Sequence, residues 1–541
     1  MYNRKTLKEY FLHFDMDKLC FVISIIAFTL IYISVLRFIL STGISLLNSD
    51  VSSEMVLSEQ LNREKAFLFT KNWFYGNEIR VLNTMPIFRV SLVIFPNNWH
   101  YARLLSVALL LLILAGSMIW LMCSIGQNKY AFWAAITAIA PFGRWYGWNV
   151  IFNSYYVPHI VISILSLALV CSIVRNNKKW YSSKKILLTL FLFTLGFMAG
   201  LGGVRQLMIC YVPLFAVSII LLSLKAKQIL PFTFPAKNIF VICSLLCLFS
   251  SIGFLVNTTY LSAHYHLFSF DNTTWKNFDL TDYFSRISDF ISLFGWQEDV
   301  PIFSLAGISN VLSLLLIAAI LFSIIYLITK IRLLGENELL GFLFFCIVFL
   351  VDLLIYGGTE QYNESYWITI LPFAFIPLFI MLSKIVPPPS SIRKTALLCS
   401  YGLLILLFSY NTMRSPYVHS LNAPVPTDEA IQGASAWLNE TDYTQGIATF
   451  WNSNILTELS NGKIEMWTTE YGDRNLTPKP LLQSVEHETL PQGKVFVLLT
   501  LSEFEQWHLW DLENYIIYMD DEFIIYGFDD ISQYFETISE L

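Results

Sequence analysis

The residues with the clearest chemical potential stand just beyond the first long apolar run, in Asn48-Ser49-Asp50-Val51-Ser52-Ser53-Glu54. Asp50 and Glu54 are spaced so that a helix would put both carboxylates on one face. Ionised carboxylates there can take a proton from a hydroxyl; equally, Asp50 can cap a surface helix while Glu54 is solvated. The same segment continues into Trp73-Phe74-Tyr75-Gly76-Asn77-Glu78-Ile79-Arg80, adding a further carboxylate and a cation. Two more arginines stand near apolar segments: Arg144 in Phe142-Gly143-Arg144-Trp145-Tyr146-Gly147-Trp148-Asn149, and Arg205 after Gly200-Leu201-Gly202-Gly203. The planar guanidinium offers two hydrogen bonds to a phosphate at once. The competing account is an interfacial anchor that snorkels, which is how Arg37 in the outer part of the first run is read.

Secondary candidates are Asp352, within an apolar run and expected to be a structural ion pair with an arginine before it is a site residue; Glu360 and Glu364, which would meet a sugar or water; and His159 after Pro158, expected to be a satisfied polar group rather than a base. Trp145, Tyr146, Trp148, Tyr155 and Tyr156 can stack on sugar rings or form an interfacial aromatic belt.

The elements that must position these residues are membrane helices. The chain has 541 residues, 55% hydrophobic and only 14% charged, against about a quarter charged in soluble proteins, and its mean hydropathy is +0.56. Apolar residues fall in blocks, each long enough to cross a hydrocarbon layer about 30 Å thick. Spans are expected at 19–41, 101–123, 130–148, 156–174, 186–203, 207–224, 238–257, 304–329, 338–356, 367–384 and 395–412, about eleven in all. The residues before Leu19 show no cleavage signal, so the first run is expected to stay as an anchor.

Basic residues set the orientation. Arg4, Lys5, Lys8 and Lys18 precede the first span, and alternate short loops hold Lys129; Arg175, Lys178, Lys179, Lys184 and Lys185; Lys225 and Lys227; Lys330 and Arg332; Lys384, Arg393 and Lys394. That side is expected to be cytoplasmic, with the N-terminus there and the segments 42–100, 258–303 and 413–541 outside. The eight cysteines, Cys20, Cys123, Cys171, Cys210, Cys243, Cys247, Cys346 and Cys399, all lie in or beside apolar runs. None braces the C-terminal part with disulfides, which suits a bacterial plasma membrane.

Two modules are therefore expected: a membrane module over 1–412 and an extracytoplasmic α/β domain over 413–541. In segment 42–100, Val51, Met55, Leu61 and Phe67 predict an interfacial helix opened by Asn48, Ser49 or Asp50. The C-terminal part reads as helix 428–438, strand 445–450, helix 452–460, strand 463–468, strand 494–500 and a hairpin around Asp520-Asp521. No basic stripe points to nucleic acid, and there is no Walker A motif, dinucleotide glycine fingerprint or Cys/His metal spacing. A divalent metal has no support in the sequence, and no cofactor is implied.

A carboxylate just outside the first span, in a long aromatic loop, resembles the membrane glycosyltransferases of the GT-C class. The stretches around Trp73–Arg80, Phe142–Asn149 and Gly202-Gly203-Val204-Arg205-Gln206 are similar to a group of bacterial membrane proteins placed with those enzymes. The resemblance implies a polytopic α-helical GT-C-like fold and an inverting transferase that moves sugar from a polyprenyl-phosphate carrier to an envelope glycan or lipid. It implies Asp50 as the catalytic acid residue, with Glu54 or Glu78 as helper, and Arg80, Arg144 and Arg205 as donor-phosphate ligands. The paired Asp-Asp or Asp-Glu usual in the class is absent, since Val51 follows Asp50, so the identity of the base stays open among the three carboxylates. A polymerase or ligase of lipid-linked glycans is the second reading. A transporter or flippase is the third, although no repeated halves are visible.

Overall fold

The computed structural model describes residues 16–76, 78–140, 143–175, 182–231, 234–268, 274–296, 300–385, 429–507 and 510–539. Among these, nine helices are long and apolar enough to cross a membrane, from Lys18–Ser41 to Glu364–Ile385. They match nine of the runs read from the sequence. The run at 130–148 differs: a helix over Ala131–Ile139 ends there, and the chain resumes as a short turn Arg144–Tyr146 and a π-helical stretch Gly147–Phe152. Pro141 and Gly143 supply the cause, because proline has no N–H to continue the ladder and glycine tolerates the re-entry. The run at 395–412, the 412/413 boundary, Arg393 and Lys394, and Lys178 and Lys179 lie outside the described residues, as do the cations before residue 16.

The first span buries Ala27, Ile31, Val35 and Ile39 and leaves Phe21, Ile26, Leu30 and Ile33 exposed, an apolar face that lipid must cover. The tightest helix pair is Ser183–Leu201 against Ala236–Val256. A Cβ on Gly200 would stand 2.0 Å from the Ser250 carbonyl oxygen, and one on Gly253 2.2 Å from that of Phe197. Small residues let these backbones touch, as membrane helices require in the absence of a hydrophobic drive between them. This crossing fixes the hairpin that ends in Arg205.

The segments between spans gather at one end of the bundle together with the C-terminal residues. Asn48 caps the helix Ser49–Arg63 by accepting a hydrogen bond from the Val51 N–H at 3.0 Å. This helix lies against Met85–Ile94 on one side and Phe450–Leu459 of the C-terminal part on the other. Val51, Met55 and Leu61 are buried as expected, but Phe67 is 85% exposed and falls beyond the helix end.

A small three-stranded sheet joins the three long segments. β1 (Trp73–Tyr75) is central, with β2 (His266–Leu267) parallel on one edge and, from the C-terminal part, Gln483–Ser484 antiparallel on the other. Beyond it, β3 (Gln445–Thr449), β4 (Glu465–Thr469), β5 (Gln483–Ser484), β6 (Val495–Thr500), β7 (Ile516–Met519) and β8 (Phe523–Phe528) follow in the chain. Five of these form a mixed sheet in the order β4-β3-β6-β8-β7. The β7–β8 hairpin turns at Asp520, whose carboxylate accepts from the Glu522 and Phe523 N–H groups.

Candidate active site

The helix Ser49–Arg63 presents Asp50 in its first turn and Glu54 one turn later. The two meet different surroundings. Glu54 is half-buried rather than freely solvated: its Oε2 accepts the Thr84 hydroxyl at 2.7 Å. Thr84 stands at the N-cap position of Met85–Ile94 without capping it, because its side chain is committed to Glu54. Burial raises the Glu54 pKa, opposed by Thr84 and by the charges of Arg80 and Arg103.

Asp50 is exposed to solvent at the start of this helix, while the protein around it partly withdraws its carboxylate from water. Its carboxylate has no hydrogen-bond or ion-pair partner among the described residues. Enclosure raises its pKa, and the positive charge of Arg80 works in the opposite direction. A carboxylate without such a partner and with a raised pKa is free to accept a proton from a hydroxyl that approaches it.

Arg80 donates from Nε to Glu78 Oε1 at 3.1 Å, and its guanidinium lies 4.3 Å from the centroid of the Tyr155 ring. Burial works against its charge, but Tyr155, Glu78 and Glu54 hold the proton. The glycine hairpin presses on this pair: Gly203, at φ +100°, is so close that a Cβ would stand 1.8 Å from Glu78 Oε2. Asn257 ties the parts together by donating to the Leu201 carbonyl at 2.6 Å and the Ile79 carbonyl at 3.3 Å.

Arg205 follows that hairpin, with its guanidinium 5.4 Å from the ring centroids of both Tyr156 and Tyr366. Its Nη1 is buried and has no hydrogen-bond partner among the described residues. A buried donor without a partner is costly, and here it is held by aromatic faces beside Arg80 and Glu78, whose charges it senses. Fixed cations of this kind can take up charge that develops on a leaving phosphate.

The structure therefore gathers Asp50, Glu54, Glu78, Arg80 and Arg205 into one cluster floored by Tyr155, Tyr156 and Tyr366. The other candidates stand apart or in supporting positions. His159 lines the wall, with its Nδ1 3.2 Å from Gln206 Nε2 and its Nε2 without a partner among the described residues, so it is only half satisfied. Asp352 is buried, and among the described residues its partner is the Tyr356 hydroxyl at 3.4 Å rather than an arginine. Its other oxygen has none. Glu360 is exposed and accepts the Thr274 hydroxyl next to the strand-like contact of Trp275 with Thr359. Arg144 begins the turn after the helix break, and its side chain lies outside the described residues.

Three members escaped the sequence reading. Thr84 and Tyr366 carry no spacing signal. Arg103 does carry one, being a cation in the first turns of an apolar helix. It is buried and forms a two-pronged ion pair with Glu458, at 2.5 Å and 2.6 Å.

The fold is similar to that of solved transferases. ArnT from Cupriavidus metallidurans bound to undecaprenyl phosphate aligns with a TM-score of 0.54 at 10% identity, over 92% of this chain and 97% of that one. Its apo state aligns equally well at 11% identity. The apo oligosaccharyltransferase of Archaeoglobus fulgidus aligns with a TM-score of 0.51 at 9% identity, over 91% of this chain and 71% of that one. The chain shares the polytopic helical fold of these structures. No family model matches the sequence, and no curated protein matches it.

Proposed function

We propose that the protein is a membrane glycosyltransferase that moves a sugar from a polyprenyl-phosphate carrier to a hydroxyl of an envelope glycan or lipid. The observation that carries this reading is the exposed Asp50 carboxylate, which has no partner among the described residues and lies within the field of Arg80, with Arg80 in turn sensing the charge of Arg205. The shared helical fold and the undecaprenyl phosphate bound to the ArnT of similar structure support a lipid-linked donor.

In this mechanism Asp50 accepts the proton of the acceptor hydroxyl as its oxygen attacks the anomeric carbon. The bond from that carbon to the phosphate oxygen breaks, and the phosphate leaves on the carrier lipid. Arg80 and Arg205 hold the charge that appears on it. Attack opposite the leaving group inverts the anomeric centre. Glu54, fixed by Thr84, keeps the first loop in place and adds negative potential that favours protonation of Asp50. Glu78 orients Arg80. The lysine- and arginine-rich ends of the spans face the cytoplasm, so transfer takes place on the outer side of the membrane.

The test is turnover of a polyprenyl-phosphate sugar by purified Asp50→Asn. Loss of a general base lowers kcat by roughly 10²- to 10⁴-fold, with the gel-filtration and melting behaviour of the wild type. Wild-type turnover by that variant would remove the proposed base. It would also favour a lipid-linked glycan polymerase or ligase, which needs no acid at this position.

A further inference from the structure

A recess of about 270 Å³ opens near the cluster, lined by Trp145, Arg286, Asp289, Tyr362, Asn363 and Glu364, with Ser285 at its side. It is assembled from three separate parts of the chain. Trp145 comes from the turn after the broken helix, Ser285 to Asp289 from the helix Leu280–Ser292, and Tyr362 and Asn363 from the connection after Glu336–Gly358. Gly143 makes the assembly feasible, since a Cβ there would stand 2.7 Å and 2.8 Å from the Leu293 and Ser292 carbonyl oxygens. Only glycine lets the turn carrying Trp145 close onto that helix end.

The wall is rigid and mixed in chemistry. Arg286 lies 3.7 Å from the Tyr362 ring centroid and donates to the Tyr356 carbonyl at 3.2 Å and to Asp289 at 3.5 Å. The Tyr362 hydroxyl is buried beside Asp289, without a well-formed hydrogen bond among the described residues. Asn363 spends its carbonyl oxygen on the Ser365 N–H at 2.9 Å, which leaves its amide donors for other partners. Half-buried aromatic faces beside an Arg–Asp pair, a second carboxylate from Glu364, an amide and a hydroxyl match a pyranose, which offers apolar C–H faces and a rim of hydroxyls. The recess is also coupled to the phosphate-holding arginine: Tyr362 meets Tyr366 at 6.1 Å between centroids, and Tyr366 lies under Arg205.

We infer that this recess is a sugar-binding subsite of the transferase, seating one pyranose ring on Trp145 and Tyr362 with its hydroxyls bridged by Asp289, Arg286 and Asn363. The inference rests on the transferase reading for its role, but its binding chemistry stands alone. The ring belongs to the donor or to the acceptor glycan.

The full chain in detergent micelles tests it by saturation-transfer NMR with the methyl glycosides of glucose, galactose, mannose and N-acetylglucosamine. At least one glycoside receives saturation at its ring protons in the wild type and in Asp50→Asn. Trp145→Ala and Asp289→Asn weaken that binding by roughly tenfold, as expected for an aromatic anchor and its polar partner, while Trp145→Phe retains most of it. No saturation of any glycoside in a wild-type protein that turns over, or binding undiminished in both Trp145→Ala and Asp289→Asn, overturns the subsite alone. Glycoside binding that depends on Trp145, in a protein whose Asp50→Asn form still transfers sugar, overturns the mechanism and leaves the subsite. In turnover, a raised KM of Trp145→Ala for the polyprenyl-phosphate sugar assigns the ring to the donor, and a raised acceptor KM assigns it to the acceptor.

Discussion

Neutralising Glu458 tests how the C-terminal part controls the helix Ser49–Arg63, the proposed catalytic helix. Arg103 and Glu458 are both buried, at 5% and 4% exposure, and are joined through both guanidinium and both carboxylate prongs. Arg103 also donates to the Val51 carbonyl at 3.3 Å, one residue from Asp50, so a single cation links a spanning helix, the catalytic helix and the helix Phe450–Leu459. Glu458→Gln leaves a buried cation without a counter-charge, which costs about 3–5 kcal/mol. That corresponds to a shift of roughly 10²- to 10⁴-fold in the equilibrium between docked and undocked states. Hydrogen exchange by mass spectrometry reads it: amides in 49–63 and 450–459 exchange faster in Glu458→Gln, and kcat falls with them. Exchange returns toward wild type in Arg103→Met/Glu458→Leu, because apolar replacement of both partners removes the stranded charge. Unchanged exchange in Glu458→Gln, or a coupling between the two sites below about 0.5 kcal/mol, would refute the argument that this pair holds the catalytic helix.

The remaining predictions concern the cluster itself. Enclosure raises the Asp50 pKa and Arg80 lowers it, and the base works ionised, so kcat/KM falls as pH drops through that raised pKa. Arg80→Gln removes the lowering influence and moves the acid limb of the kcat/KM profile to higher pH; a limb that stays in place or moves down would show that Arg80 does not act on Asp50. Gly203→Ala puts a side chain at φ +100° and against Glu78, costing about 1–2 kcal/mol in backbone strain alone and displacing Glu78 from Arg80, so the donor KM rises. Gly202→Ala, whose Cβ meets nothing nearer than 3.3 Å, stays near wild type, and equal effects of the two substitutions would contradict the geometry.

Much of the fold was legible because it follows from one-dimensional signals. Long apolar runs gave the spans, since hydrocarbon thickness sets helix length. The strands read at 445–450, 463–468 and 494–500 correspond to β3, β4 and β6, and the pair Asp520-Asp521 marked the hairpin. The caps and faces of the helix Ser49–Arg63 were likewise local, down to Asn48. What failed depended on neighbours distant in sequence. The third apolar run has the composition of a span; its Pro141 and Gly143 are local breakers, but the packing of Gly143 against the end of Leu280–Ser292 depends on residues far along the chain. Asp352 was expected to pair with an arginine because charge inside a membrane usually finds an opposite charge, whereas a tyrosine one turn along its own helix reached it first. Glu54 looked solvated because nothing in the sequence brings Thr84 within reach. Arg80 and Arg205 were each nominated singly, and their approach to one another arises from Asn257 binding two backbone carbonyls at once.

The three-stranded sheet shows why the cluster required all three long segments. β1 ends at Tyr75, a few residues before Glu78 and Arg80, so whatever fixes β1 fixes the approach of both side chains. Alone, a strand of three residues has too few hydrogen bonds to hold a direction. It gains one from β2, which follows the helix Ala236–Val256 and its tie to the glycine hairpin, and another from β5, which belongs to the part anchored by Glu458. Hairpin, loop and C-terminal part thus fix the same short strand from two edges, and the distance from Arg80 to Asp50 is set by all of them together. Shortening the C-terminal part would therefore disturb Arg80 through β5 as well as Asp50 through Arg103, so its loss acts on both halves of the proposed chemistry, the cation and the base.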